Sequence, residues 1–77
     1  MIRVRLFAAA AEATGAAELD VDATTAAELR AQLGVRTPSA PGVIRQCALL
    51  RDGDRLDDSA QLAAGDLVDV LPPFAGG

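Results

Sequence analysis

Lysine, histidine, tryptophan and tyrosine are missing from the 77 residues, and cysteine and methionine occur once each. Each absence closes off some chemistry. With no histidine, one cysteine and no carboxylate pair near the C-terminal end, the chain lacks groups for acid–base work at neutral pH. The same inventory leaves no ligand set for a metal. Cys47 has no partner for an internal disulfide, which fits a reducing cytoplasm, and a lone cysteine at a strand start reads as a small buried hydrophobe rather than a persulfide carrier. The only aromatics are Phe7 and Phe74, so the core rests on Ile, Val and Leu. A net charge of −4, without a basic stripe interleaved with aromatics, argues against nucleic acid as a partner. No run is long enough to span a bilayer, and the chain starts on a strand-like pattern rather than a signal peptide, so no membrane role is expected.

What is present is patterned. Ile2-Arg3-Val4-Arg5-Leu6-Phe7 predicts a strand with Ile2, Val4 and Leu6 inward and Arg3, Arg5 and Phe7 opposite. Residues 8–14 are alanine-rich and Gly15 follows as a C-cap, which predicts a short helix. Residues 18–22 alternate again, with Leu19 and Val21 inward, as a second strand antiparallel to the first. Thr24 or Thr25 caps the main helix, and Thr25 and Glu28 have the spacing of a capping box. Leu29 and Leu33 share one face of that helix, and Gly34 closes it.

Residues 35–42, punctuated by Thr37, Pro38, Ser39, Pro41 and Gly42, read as a loop. Val43, Ile44 and Cys47 return to the core, and Ala48-Leu49-Leu50-Arg51 reads as a third strand. Asp52-Gly53 is a turn signal, with Arg55-Leu56 as a short arm beyond it. Asp57-Asp58-Ser59 reads as a solvated turn rather than an acid or metal pair, with Leu62 as a buried plug. Gly65-Asp66 then turns the chain into a last strand, Leu67-Val68-Asp69-Val70-Leu71. The order β-β-α-β-β predicts an α+β fold whose first and last strands lie side by side, parallel and central. Both are read as apolar on both faces, as central strands can be.

The final strand runs straight into Leu71-Pro72-Pro73-Phe74-Ala75-Gly76-Gly77. Two prolines cannot donate to a sheet ladder, so they end the strand and favour an extended exit. This divides the chain into a folded part, residues 1–71, and a flexible tail, residues 72–77. Six residues beyond Leu71 reach on the order of 20 Å when extended. Gly76 and Gly77 carry no side chain, so a narrow tunnel admits them where any Cβ would collide. Gly77 is therefore the candidate working group, with its carboxylate delivered into another protein. Phe74 is the candidate interface anchor, since a ring on an extended tail has no core to enter. Phe7 and Leu71 either extend that apolar patch across the sheet or close a second small core under the alanine-rich helix.

Val4-x-Leu6-Phe7-Ala8, Leu62-x-x-Gly65-Asp66-x-Val68 and Pro72-Pro73-x-x-Gly76-Gly77 resemble, from end to end, the MoaD/ThiS family of ubiquitin-like sulfur carriers. The double proline is closer to MoaD, the small subunit of molybdopterin synthase (molybdopterin converting factor subunit 1), than to ThiS. The resemblance implies a β-grasp fold with one main helix packed across a mixed sheet. It also implies a non-catalytic subunit that binds no permanent cofactor. A MoeB-like enzyme would use ATP to adenylate the Gly77 carboxylate, and a sulfur donor protein would displace AMP to leave a thiocarboxylate. Docked on a MoaE-like large subunit through Phe74, Pro73, Pro72, Leu71 and Phe7, that group would deliver sulfur to cyclic pyranopterin monophosphate. The same terminal chemistry would serve thiazole or cysteine synthesis. A protein modifier joined to lysines of other proteins is a further reading; lacking lysine, the chain would not build lysine-linked polymers of itself. An inert tail on a β-grasp binding module is the last.

Overall fold

Alternation sets the first strand, β1 (Ile2–Leu6), whose residues are buried and exposed in strict turn. The computed structural model describes residues 1–73, so the expectations for Phe74, Ala75, Gly76 and Gly77 lie outside the described residues. A short helix follows, α1 (Ala9–Thr14), ended by Gly15 in the left-handed conformation with φ 78°. Then β2 (Glu18–Val21) pairs antiparallel with β1 and turns Leu19 and Val21 to the core.

The main helix is α2 (Ala26–Gly34), with Leu29 and Leu33 fully buried. Its N-cap is Thr25, whose Oγ1 accepts from the Glu28 N–H at 3.2 Å. The reciprocal half of the box is shifted by one residue. Glu28 Oε1 accepts from the N–H and the hydroxyl of Thr24, both at 2.8 Å, and not from Thr25. Both threonines weighed as caps therefore take part. Two bonds to the charged form hold the Glu28 carboxyl below its ordinary range.

The reading of residues 35–42 as a loop is corrected. The last part of it enters α3 (Ala40–Ile44), with Pro41 in the first turn, where its missing N–H is not needed. Packing decides this against the local punctuation: Ala40 and Ile44 are buried, and α3 lies against α2, where Gly34 faces the Pro41 backbone. Next come β3 (Ala48–Arg51) and a two-residue β4 (Asp54–Arg55). Asp52 and Gly53, with φ 54° and 80°, form the turn between them, as a type I′ hairpin requires. The last strand, β5 (Leu67–Leu71), matches the expected span.

The sheet order is β2-β1-β5-β3-β4. β1 and β5 are central and parallel, as read, with Val4 opposite Val68 and Leu6 opposite Val70. One face packs against all three helices in a single core built from Ile2, Val4, Val68, Val70, Leu49, Leu29, Leu33 and Ile44. The reading of β1 and β5 as apolar on both faces is corrected for β1 and holds in part for β5. Helices cover one side only, so the second face is open to water; there β1 carries Arg3 and Arg5, and β5 carries Leu67 and Leu71 on either side of Asp69. Among the described residues, no helix is long and apolar enough to cross a membrane.

Two local features make testable statements. Ala8 sits at φ 51°, ψ −124°, and the Ala10 N–H donates to Phe7 O at 3.0 Å, so residues 7–10 form a type II′ turn with alanine at the first central position. That position suits glycine, and the Cβ there is strained by about 1–3 kcal/mol. Ala8→Gly should raise stability by about 1 kcal/mol after its own entropy cost, read by urea unfolding.

Asp66 Oδ2 accepts from the Ala63 N–H at 2.9 Å and from Arg51 Nη1 at 2.8 Å, fixing the turn into β5. The Ala63 bond first, and then Arg51, hold its carboxyl below the ordinary range. A carboxyl depressed in the folded state stabilises fully above its unfolded value and loses that contribution as pH falls through the folded one. Asp66→Asn should therefore fall furthest below wild type at neutral pH and converge with it below about pH 3.9, in urea midpoints taken across that range.

Candidate site at the tail exit

Parity puts one set of side chains on the open face, and strand register lines them up. Crossing the sheet, Glu18 on β2 stands opposite Arg5 on β1, Arg5 opposite Asp69 on β5, Asp69 opposite Leu50 on β3, and Leu50 opposite Arg55 on β4. Toward the tail, Leu71 stands opposite Ala48. Phe7 continues β1 one residue past Leu6, and its N–H donates to Val70 O at 3.2 Å. The open face is therefore charged at its β2 side and apolar where the chain leaves β5.

The charges on that face are tied to one another. Arg5 meets Asp69 in a two-pronged contact, Nε to Oδ1 at 2.7 Å and Nη2 to Oδ2 at 2.9 Å. Its guanidinium carbon lies 6.0 Å from the centre of the Phe7 ring, within cation–π range. Arg3 bonds Asp20 at 2.8 Å and Glu18 at 3.4 Å. The hydrogen bonds to these carboxylates, more than their charge alone, raise both guanidinium pKa values. The pairs stand largely in water, so they order side chains more than they stabilise the fold.

Beyond this charged half lies a recess of about 300 Å³, lined by Ala48, Leu50, Leu71, Pro72, Pro73 and Arg55 among others. Three of the sequence-derived site residues, Leu71, Pro72 and Pro73, meet there. Phe7 lies on the same face and is 40 % exposed beneath Arg5 rather than enclosed. Phe74, Gly76 and Gly77 lie outside the described residues. Ala48, Leu50 and Arg55 were not singled out from the sequence. Once Leu49 is recognised as buried, parity turns Ala48 and Leu50 outward, but only the pairing of β3 with β5 places them beside Leu71.

The remaining candidates are accounted for by the fold. Cys47 is 3 % exposed, its Sγ donates to Val43 O at 3.2 Å, and burial pushes its thiol pKa up. Asp58 takes Arg30 Nε at 3.3 Å from an exposed turn. Among the described residues, no three His, Cys, Asp or Glu side chains converge as metal ligands would.

Core and open face should answer differently to truncation. Leu49→Ala, at a fully buried position, should cost about 2–5 kcal/mol. Phe7→Ser should cost less than about 1 kcal/mol, although it removes the larger side chain. Urea denaturation of the two variants checks the contrast.

The ThiS family model matches residues 4–77. No curated protein matches the chain significantly. Among solved structures, SAMP1 from Haloferax volcanii is 30 % identical with a TM-score of 0.71, covering 99 % of this chain and 98 % of that one. H. volcanii small archaeal modifier protein 1 superposes with a TM-score of 0.74 at 26 % identity, covering 95 % and 97 %. The complex of subunits 1 and 2 of molybdopterin-converting factor from Helicobacter pylori contains a chain 25 % identical, with a TM-score of 0.70 and coverage of 99 % and 97 %. The chain belongs to the ThiS family, as a small β-grasp protein of the sulfur-carrier or ubiquitin-like-modifier type.

Proposed function

We propose that this protein carries sulfur on the carboxylate of Gly77 for molybdopterin synthesis. Residues 1–71 act as the folded body and residues 72–77 as the delivery arm. The observation that carries the reading is the path of β5. It runs through the centre of the sheet and ends in Pro72 and Pro73 at an apolar recess, so the described chain leaves the sheet beside a surface suited to docking. The H. pylori relative, seen as subunit 1 with subunit 2, supports assembly with a large subunit of the MoaE type.

The chemistry is divided between the chains. A carboxylate is a poor electrophile. An adenylating enzyme of the MoeB type joins the Gly77 carboxylate to the α-phosphorus of ATP, releasing pyrophosphate. The outer sulfur of a donor-protein persulfide attacks the acyl carbon and AMP departs. A thiol then attacks the donor's own sulfur in the acyl disulfide, forming a disulfide with the donor and releasing the thiocarboxylate. On the large subunit this group passes its sulfur to cyclic pyranopterin monophosphate. The carrier's part is geometric: a slender end, a stiff proline exit and an apolar face. Phe74, with Phe7 and Leu71, supplies the docking anchors.

A second reading has its own support. The H. volcanii structure at 26 % identity is a small archaeal modifier protein, and a modifier uses the same activated Gly77 to acylate a lysine amine of another protein. Intact mass of the protein from its own cells separates the two. A species heavier by one oxygen-to-sulfur exchange in the C-terminal peptide marks the carrier, and a branched peptide joined to a foreign lysine marks the modifier. In either case, deleting Gly77 or adding one residue after it should abolish activation with ATP while leaving the thermal unfolding midpoint unchanged. Pyrophosphate release from the extended chain at the wild-type rate would refute the assignment of Gly77.

A further inference from the structure

The open face contains one charge whose partner is missing among the described residues. Arg3 is matched by Glu18 and Asp20, and Arg5 by Asp69. Arg55 stands opposite Leu50 on the same face, exposed, with no carboxylate within ion-pair distance among the described residues. It is also the cation that lines the recess with Leu50, Leu71, Pro72 and Pro73. In a chain of net charge −4, the edge of the tail exit is thus locally positive.

We infer that Arg55 is a specificity residue for the enzyme that activates the tail. That enzyme covers the recess with an aliphatic side chain and places an Asp or Glu carboxylate against the Arg55 guanidinium. This rests on the reading of Gly77 as the activated group.

The reach of the tail makes the contact necessary. Four residues follow Pro73, roughly 13 Å when extended. A protein that takes the Gly77 carboxylate into a slot comes within that distance of Pro73 and lies against the recess Pro73 lines. Covering the recess removes water from Arg55. A guanidinium desolvated without a counter-charge is strongly unfavourable, so a partner that binds well supplies a carboxylate there. The planar fork of arginine favours a two-pronged carboxylate over a single acceptor. The activating enzyme is the occupant because both the carrier and the modifier reading require it, whereas a large synthase subunit serves only one of them.

The test is steady-state adenylation by the ATP-dependent activating enzyme from the same cells. Pyrophosphate release is followed against the concentration of the full 77-residue chain. Arg55→Glu should raise KM for the chain about tenfold or more, with kcat within about twofold. Arg55→Lys should fall between it and wild type. The wild-type KM should rise with added salt, and Arg55→Gln should flatten that dependence. Thermal unfolding of all three variants should match wild type, since Arg55 makes no side-chain bond among the described residues, which separates a docking defect from a folding one. An Arg55→Glu chain with the wild-type KM, beside an active wild type, overturns the inference and leaves the tail reading standing. A wild-type chain that is never adenylated overturns both.

Discussion

The parallel pairing of β1 with β5 is the constraint on which the rest depends. Parallel neighbours cannot be joined by a tight turn, so the chain between them must travel the length of the sheet and return. Sixty residues separate Leu6 from Leu67, and they form everything else: the β2 edge, the three helices on one face, and the β3–β4 hairpin on the far side. Val4 and Val68, then Leu6 and Val70, stand in register on the buried face. That register fixes where β5 ends relative to β1, and so where the tail leaves. A slip of one residue would turn Val68 and Val70 to water and move Asp69 into the core, which the burial pattern forbids.

The same register organises the open face. Arg5, Asp69, Leu50 and Arg55 come from four strands and are neighbours only because the strands pair as they do. The ion pairs there are largely solvated, and such pairs contribute little to stability. Their consequence is order: Arg5, gripped by Asp69, lies over Phe7 and gives an exposed ring a defined setting. The protein thus keeps one half of an uncovered sheet polar and leaves the other half apolar beside the exit, where a partner is expected.

This arrangement suits a protein whose reactivity is conferred from outside. The described side chains include no nucleophile or acid–base group at the recess, and Cys47 is buried with its pKa raised by desolvation. The folded body has one task, to present its end in a fixed direction next to a recognisable surface. The strained Ala8 turn follows Phe7 at the exit end of the sheet, and the clamped Asp66 turn fixes the start of β5 at the opposite end.

Sequence alone determined the features that repeat with a period. Alternation in residues 2–7 and 67–71 located the two central strands and their buried faces, and the leucine spacing and threonine cap located α2. Asp52-Gly53 and Gly65-Asp66 marked their turns, and Pro72-Pro73 marked the end of β5. All of these are local, set by side-chain direction, backbone sterics or a missing N–H. Tertiary structure decided what local chemistry left balanced. Residues 40–42 carry proline and glycine and read as loop, yet Ala40 is drawn into the core by burial against α2, and a helix running on to the buried Ile44 results. Glu28 reaches Thr24 rather than Thr25 because the cap's geometry, not its spacing, sets the acceptor's position. The second faces of β1 and β5 stayed open to water because helices pack on one side only, which leaves Arg3, Arg5 and Asp69 beside Leu67 and Leu71 there. The grouping of Arg55 with Leu50 and Leu71 depends on strand pairings distant in the chain, and no periodicity within a strand encodes its neighbour.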